Sequence, residues 1–196
     1  HEQIFGYDFR DKGDKENIAV IIPAEEPKLP ESYPQVGRRL KLATTCIPRP
    51  VKRTDELERL CNKFDIELVP AWGSVTDFSY YHDCNGYIHL SRKEGMPNTV
   101  LEALAYGLPC IVTNYGGAKE AVGDAGVIIR NDPEDVMWNP AEIEPVDNFL
   151  FFQAVQEFVN TLPFLQWKTR QRVLSQLNDK IAAEKFREVF ELCLKK

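Results

Sequence analysis

Three short apolar segments within residues 85–130 constrain the fold more than any other feature of the chain. They are residues 85–91 (NGYIHLS), 109–114 (PCIVTN) and 125–130 (AGVIIR). Each is too short for a helix, and the second is enriched in β-branched residues. Strands that alternate with helices in so few residues imply βαβ units. We therefore expect a Rossmann-like α/β domain, a parallel sheet flanked by helices.

The segment between the first two strands predicts a helix over residues 97–106. Gly107 can end this helix with a left-handed turn, and Pro109 blocks its continuation. Four apolar residues share the helical spacing: Val100, Leu101, Leu104 and Ala105. A turn and a short helix then follow over residues 116–123.

The rest of the 196 residues fits the same single domain. Upstream, the pattern predicts strands at residues 39–46 and 66–70. It predicts helices at residues 54–64 and 77–84. Thr54 is the expected N-cap of the helix over 54–64. The last part of the domain, residues 147–196, is expected to be helical, with one helix over 147–162 and another from about 166 to the end.

Composition excludes several classes of protein. A net charge of −6 argues against nonspecific nucleic-acid binding, which needs a positive surface. Five scattered cysteines with no CxxC pair suit a reduced cytoplasmic protein. No apolar run approaches the ~20 residues that span a bilayer, and no residues show metal-ligand spacing such as HxxxH. We expect no metal and no cofactor. Because the chain starts at His1, we also expect it to be a piece of a longer protein.

Two carboxylates, Glu94 and Glu102, lie eight residues apart at a strand–helix junction. In an open parallel sheet, ligands bind where the carboxyl ends of strands meet helix N-termini. The helix N-terminus attracts phosphate, and carboxylates accept hydrogen bonds from sugar hydroxyls. One acid at such a place is more often only a helix-start charge. Two spaced acids among several glycine and proline turns favour a nucleotide-sugar site instead.

The turn between these acids suits phosphate. Gly95 allows a tight approach of the backbone, and Pro97 sets the first helical turn without losing a needed donor. The amides expected to be available are those of Asn98, Thr99 and Val100. A glycosidase acid/base pair is disfavoured, because a helix N-terminus holds carboxyls in the charged form and such a pair needs one raised pKa.

Residues 91–120 carry the pattern SxxEGxPNxxLEAxAxGxP followed by GGxxE. This pattern resembles the donor-binding domain of GT-B-fold retaining glycosyltransferases, most closely the glycogen-synthase-like family 4 with its E-x7-E signature. The resemblance is specific from about residue 81 to 130. It implies that Glu94 contacts the transferred sugar and that Glu102 holds the ribose. It also implies that one backbone turn binds the diphosphate and sugar: Gly95, Met96, Pro97, Asn98 and Thr99.

The same resemblance assigns roles further upstream. The nucleobase would lie against the loop formed by Trp72, Gly73, Ser74 and Val75. Tyr81 stands where the family commonly has a tyrosine. Asn85 stands where the family usually has aspartate.

The front of the domain departs from the family pattern. The family carries G-R-L-x-x-x-K-G, and the nearest match here is residues 6–13 (GYDFRDKG). Lys12 keeps the lysine position and would balance the donor phosphates. Tyr7 replaces the arginine, and Arg10 is the candidate substitute. We expect residues 3–6 to form the first strand of the sheet.

The resemblance implies the donor half of a hexosyltransferase. Its partners would be a nucleotide-sugar and an N-terminal acceptor domain absent from this chain, with membrane contact only through the full-length enzyme. Alone, the chain should bind a nucleoside diphosphate weakly and transfer little or no sugar. Two alternatives stay open. One is a degenerate binding or interaction module, which Tyr7 favours. The other is half of a nucleotide-sugar epimerase, whose usual His and Asp groups are not found.

Other residues have structural interpretations. His82 is expected on a helix and His89 in the core. The basic cluster Arg38, Arg39 and Lys41 is expected at a solvated strand boundary. The aromatic run over residues 149–152 predicts helix core or, alternatively, a surface that meets the absent domain.

Overall fold

A computed structural model describes residues 3–4, 7–8, 28–72, 78–92, 95–131 and 144–194 of the chain. Within these ranges the strands are β1 (Gln3–Ile4), β2 (Tyr7–Asp8), β3 (Lys41–Cys46), β4 (Glu67–Trp72), β5 (Gly86–His89), β6 (Cys110–Thr113) and β7 (Gly126–Ile129). The α-helices are α1 (Thr54–Lys63), α2 (Asn98–Ala105), α3 (Ala118–Val122), α4 (Asn148–Ser175) and α5 (Asp179–Leu194). Two 3-10 helices span Pro50–Lys52 and Ser79–Asp83.

Five of the strands form one parallel sheet in the order β4-β3-β5-β6-β7. Leu42 of β3 lies opposite Gly86 of β5, and Ile88 of β5 lies opposite Ile111 of β6. Helices cover the sheet on both faces. The predicted Rossmann-like α/β fold is therefore confirmed, and the strands expected at 39–46, 66–70 and within 85–130 all belong to this sheet.

The first strand was predicted wrongly. Gln3 and Ile4 do not join the large sheet but pair antiparallel with β2, with Gln3 opposite Asp8 and Ile4 opposite Tyr7. Strands only two residues apart along the chain can pair as a hairpin, whereas joining a parallel sheet requires a long crossover connection. The local pairing therefore competes with the distant one.

The sheet separates two hydrophobic cores. On one face, Ile88 and Ile111 pack with α1 and the first half of α4. On the other face, Tyr87 and Val112 pack with α2, α3 and the end of α4. Neighbouring residues of a strand point to opposite faces, so each central strand contributes to both cores.

Helix α1 begins differently from the prediction. Its N-cap is Arg53, which adopts a left-handed conformation with φ 54°, and Thr54 is already inside the helix. The Arg53 side chain is buried, and its Nη2 atom donates a 2.6 Å hydrogen bond to the carbonyl of Glu144. Tertiary contacts of the arginine therefore replace the expected cap by a threonine hydroxyl.

Helix α4 continues through the predicted break. Pro163 lies inside a helix of 28 residues, and the chain turns only at residues 176–178. A proline removes one intrahelical hydrogen bond, but this helix is anchored to the domain on both sides of it. Eight residues of α4 are buried: Phe151, Ala154, Val155, Phe158, Leu162, Leu165, Thr169 and Val173. The two-helix prediction with a boundary near residue 163 is therefore wrong.

The aromatic run at the start of α4 is divided between core and surface. Phe151 is fully buried, whereas Phe149 is 64% exposed and Phe152 is 42% exposed. Helix α4 also exposes Val159, Phe164, Trp167 and Leu174. The prediction of helix core is therefore correct for Phe151, and the helix carries a second, exposed apolar face.

Candidate functional site

The candidate site lies at the carboxyl edge of the sheet. Strand β4 lies on one side of β3 and β5 on the other, so the order of the strands reverses between β3 and β5. In open α/β sheets this reversal creates the crevice where ligands bind. Helix α2 starts after the carboxyl end of β5, so its N-terminus opens toward this crevice.

The first turn of α2 offers two backbone donors. Its N-cap is Pro97, whose carbonyl oxygen accepts hydrogen bonds from the amides of Val100 (3.1 Å) and Leu101 (3.3 Å). The expectation that the Val100 amide is available is therefore wrong, because the first turn is closed tightly. The amides of Asn98 and Thr99 donate to no group in the part of the chain that the structure describes. Those two amides fit an anion at the helix N-terminus.

The two glycine turns of the motif meet at this edge. The amide of Gly117 donates a 2.6 Å hydrogen bond to the carbonyl of Gly95. A Cβ atom at Gly117 would lie 2.2 Å from that same oxygen and 3.0 Å from Cε of Met96. The turn after β6 therefore supports the turn that precedes α2, and only glycine permits this spacing.

Glu102 lies one turn into α2 and is partly exposed. Burial is the main cause that raises the pKa of the Tyr80 phenol, and the charge of the Glu102 carboxylate is the least of the causes that act on it. A phenol with a raised pKa stays protonated at neutral pH. Glu102 is thus a partly exposed carboxylate one turn into the helix that starts at the reversal of the sheet.

A group of hydroxyls joins the elements around this point, and we call Thr45, Tyr80, Tyr81, Tyr87 and Thr99 the hydroxyl cluster. Thr45 Oγ1 lies 2.7 Å from the Tyr80 hydroxyl and 3.0 Å from the Tyr81 hydroxyl. Tyr87 donates to the Thr45 carbonyl at 3.1 Å and accepts from the Thr45 amide at 3.2 Å. The Thr99 side chain acts to lower the pKa of Tyr87, against the larger effect of burial, which raises it. Burial is the main cause that raises the pKa of Tyr81 and Tyr87.

Sequence reasoning identified only Tyr81 and Thr99 among these five residues. Thr45 is separated from its tyrosine partners by 35 to 42 residues. A contact between residues so far apart along the chain leaves no periodicity or spacing in the sequence from which it could be predicted. A threonine at the carboxyl end of a predicted strand is the one local sign that the sequence offers.

Several predicted site residues lie outside the described residues. They are Glu94, Lys12, Arg10, Gly73, Ser74 and Val75. Trp72 is the last residue of β4, is partly buried and lies opposite Cys46 of β3. The expected nucleobase loop therefore starts at the same edge as α2, next to the reversal of the sheet.

Asn85 is a structural residue at the opposite, amino edge. Its Oδ1 atom accepts a 3.0 Å hydrogen bond from the Lys41 amide, and its Nδ2 atom donates a 3.1 Å bond to the Pro34 carbonyl. An aspartate carboxylate could not make the second bond. The difference from the family pattern thus has a local cause, the tethering of the chain before β3.

The basic cluster and the histidines also have structural partners. Arg39 forms a 2.8 Å ion pair with Asp65, and Lys41 lies 3.6 Å from Glu67. His82 is exposed on a 3-10 helix, whereas His89 is buried and its ring stacks on Tyr87 at 6.4 Å. These placements confirm that Arg39 and Lys41 lie at a strand boundary and that His89 lies in the core.

One cavity of the described residues lies away from the α2 turn. It has a volume of about 600 Å³ and lies between the β3–α1 connection and Pro145, with Arg49, Arg53 and Arg59 among its lining residues. Arg53 and Glu56 tie this region together, since Glu56 accepts a 2.6 Å hydrogen bond from the Val146 amide. The cavity is therefore built from contacts that hold residues 144–146 against α1.

No group of three or more His, Cys, Asp or Glu side chains among the described residues is arranged to hold a metal ion. No helix in them has both the length and the apolarity that crossing a bilayer requires.

A family model and two known proteins match parts of this chain. A family model described as "Glycosyl transferases group 1" matches residues 15–139. The O-antigen biosynthesis glycosyltransferase WbnH and the probable O-antigen biosynthesis glycosyltransferase WbiN, both from Escherichia coli, are each 29% identical to this chain over 83 residues. That stretch is 42% of this chain and 25% of theirs.

Solved structures show the same fold at low identity. The lipopolysaccharide outer core galactosyltransferase WaaB in its apo form is 14% identical, with a TM-score of 0.60 over 88% of this chain and 55% of that chain. AviGT4, a glycosyltransferase involved in avilamycin A biosynthesis, is 15% identical, with a TM-score of 0.59 over 93% of this chain and 60% of that chain. The chain thus spans only part of each of these proteins.

Proposed function

Because the chain belongs to the group 1 glycosyl transferases, we propose that it is the nucleotide-sugar-binding half of a retaining GT-B enzyme, similar to family 4, that transfers a hexose. The observation that carries this proposal is the N-terminus of α2 at the reversal of the sheet, with two available amides and Glu102 one turn further on. Phosphate suits the amides, and the vicinal hydroxyls of a ribose suit the carboxylate.

The remaining roles follow from the motif. Glu94 orients the transferred sugar, and the turn over residues 95–99 lies against the diphosphate. Lys12, with Arg10 in place of the family's arginine, offsets the charge that develops on the leaving nucleoside diphosphate. No metal or cofactor has a role in this proposal, and we place the protein in the reducing cytoplasm because Cys46, Cys61, Cys84 and Cys110 are free thiols.

The acceptor would bind a separate N-terminal domain, so this chain supplies one wall of the reaction cleft. The purified chain should therefore bind a nucleoside diphosphate and transfer little or no sugar. Acceptor-dependent turnover by the chain alone would contradict this part of the proposal.

Calorimetry with UDP and GDP tests the binding role. We expect one of the two to bind, and Glu102→Gln to weaken that binding about tenfold or more, since a charge-assisted hydrogen bond contributes roughly 1.5–3 kcal/mol. Glu58→Gln is the matched control, because Glu58 is an exposed glutamate on α1. Equal affinities in Glu102→Gln and the parent would refute the ribose-binding role.

A second candidate is a degenerate interaction module that has lost donor binding, and Tyr7 in place of the family's arginine favours it. The same titrations separate the two. A folded chain that binds neither nucleotide at millimolar concentration would support the module and contradict the donor-binding half.

A further inference from the structure

Helix α4 carries an exposed strip along much of its length. Phe149 and Trp167 are 18 residues apart, which is about five turns at 3.6 residues per turn, so they lie on one line along the helix. Eight residues from 149 to 167 lie within about 60° of that line, and all of them are exposed. We call these residues the α4 strip. Its aromatic members are Phe149, Phe152, Phe164 and Trp167.

The composition of the α4 strip is that of an interface core. Its other members are Gln153, Gln156, Asn160 and Pro163, so the strip carries no charge although 28% of the residues of the chain are charged. Interface cores are depleted in charged residues and enriched in aromatic ones, whereas a solvated helix face usually carries charges. The amides in the middle suit another protein surface, since a lipid phase would leave them without hydrogen-bond partners.

The order of residues along the α4 strip is self-complementary. Each member has a counterpart at the same distance on the other side of residue 158. The pairs are Phe149 with Trp167, Phe152 with Phe164, Gln153 with Pro163, and Gln156 with Asn160. If two antiparallel copies of α4 are related by a twofold axis at this point, the counterparts lie at the same level. Aromatic residues then meet aromatic residues, and the strip forms the self-complementary surface that a twofold interface requires.

Contacts within the chain hold the aromatic rings of the strip in place. The ring centre of Phe152 is 5.7 Å from that of Phe64 on α1. The ring centres of Phe164 and Trp167 are 5.9 Å apart, and Nζ of Lys168 lies 5.4 Å and 5.3 Å from them. Rings that are fixed before a partner arrives lose less conformational entropy on association. The strip is therefore preorganised for a partner.

The exposed area of the strip sets the strength of the association. Its aromatic side chains are 42–64% exposed. An aromatic side chain buries roughly 150–250 Å² in full, so the four leave on the order of 400 Å² open on each copy. Two copies, with their amides, would bury about 1,000 Å², the lower end for a specific interface. This area predicts a weak dimer with a dissociation constant of roughly 10–100 µM, so the chain is a monomer in dilute unfolding measurements.

We propose that the α4 strip is the interface of a twofold-symmetric dimer of this chain, in which two α4 helices pack antiparallel about residue 158. Phe149 then lies at the level of the partner's Trp167, and Phe152 at the level of the partner's Phe164. Helix α4 packs along β7, the last strand of the sheet, whereas the candidate site lies between β3 and β5. The inference therefore stands independently of the proposed donor-binding function.

Sedimentation velocity of the full chain, from about 5 to 500 µM, tests the proposal. We expect the mass to rise with concentration from 22.5 kDa toward twice that value. Phe152→Glu and Phe164→Arg should each weaken the dimer at least roughly tenfold, because each places an unpaired charge in the interface. Leu174→Arg is the control. Leu174 is 50% exposed on the same helix, but its counterpart would be residue 142, before α4 begins.

Mixtures of variants test the register of the two helices. Phe152→Glu mixed with Phe164→Arg should form a dimer again, because the new charges lie at the same level in one contact and two phenylalanines remain in the other. Phe152→Glu mixed with Phe149→Arg should stay monomeric, since the counterpart of residue 149 is 167. The melting temperature of each dilute variant verifies that it is folded.

Each result decides the inference. Recovery in the first mixture alone supports the antiparallel dimer. A parent that stays monomeric up to the highest concentration would overturn it and would leave the absent N-terminal domain as the occupant of the strip. A dimer that survives both single substitutions, or that recovers equally in both mixtures or in neither, would also overturn it.

Discussion

The amide nitrogen of Gly117 lies 2.6 Å from the carbonyl oxygen of Gly95, although 22 residues separate them. This hydrogen bond joins the turn after β6 to the turn before α2. It explains the glycine at residue 117, since any side chain there would meet the backbone of residue 95.

Gly117→Ala should destabilise the chain by about 2 kcal/mol, within the usual range for overpacking of about 1–3 kcal/mol. The new Cβ would lie 2.2 Å from the Gly95 oxygen, which is a backbone atom and cannot rotate away. Urea denaturation measures the change. Gly37→Ala is the control, because a Cβ there meets no atom within 4 Å. Equal stabilities of the two variants would contradict the close packing of the turns.

Asn85→Asp should destabilise the chain by roughly 1–2 kcal/mol at pH 7, the cost of leaving a buried acceptor without its donor. The substitution restores the residue that the family pattern carries, yet it places a carboxylate oxygen opposite the Pro34 carbonyl. Thermal and urea unfolding give the difference. Asn148→Asp, at the exposed start of α4, should change stability little. A stabilised Asn85→Asp variant would show that the Pro34 contact is unimportant.

Asp124→Asn should lower stability by less than about 1 kcal/mol at pH 7, as expected for an exposed ion pair. The hydrogen bond from Lys168, 2.7 Å away, is the main cause that lowers the Asp124 pKa from its usual value near 3.8. A carboxyl with a depressed folded-state pKa stabilises the fold above its unfolded pKa, and this contribution is lost as the pH falls through the folded-state value. The difference between parent and variant should therefore shrink below about pH 4. A difference that grows on acidification would contradict the assignment.

Phe158→Ala should destabilise the chain by about 3–5 kcal/mol, whereas Phe164→Ala should cost less than about 1 kcal/mol. Both are phenylalanines of α4, but Phe158 is fully buried and its ring contacts the Gly86 position of β5. Phe164 is 54% exposed and contacts Lys168, whose Nζ atom is 5.4 Å from the ring centre. Chemical denaturation compares the two. Similar losses would mean that the exposed face of α4 is packed in solution.

Three cysteines should resist alkylation in the folded chain. Burial is the main cause that raises the pKa of Cys61 to about 12 and that of Cys84 to about 11, and it also raises the pKa of Cys110. The thiolate is the reactive form, so iodoacetamide at pH 8 should label these thiols at least roughly a hundredfold more slowly than in urea. Peptide mapping by mass spectrometry identifies the labelled residues. Rapid labelling of Cys61 without denaturant would contradict the burial of α1.

Much of the fold was predictable because its signals are local. Helix α2 was expected over residues 97–106 and spans Asn98–Ala105. Its apolar spacing, Gly107 and Pro109 lie within twelve residues of one another. The strands β5, β6 and β7 were likewise predictable from short apolar runs between turns. The break predicted near Pro163 failed because the burial of Phe158, Leu165 and Val173 on the two cores outweighs one missing hydrogen bond.

The sequence by itself determined the alternation of strands and helices, the carboxylate spacing and the family. The reason is that periodicity, turn residues and the motif are all local features of the sequence. Only the tertiary structure decided that Gly117 supports Gly95, and that Thr45 links Tyr80 to Tyr87. The reason is physical: hydrogen bonds between residues 22 to 42 positions apart depend on the order of strands in the sheet. That order is set by how β3 and β5 come to lie side by side, which no local pattern specifies.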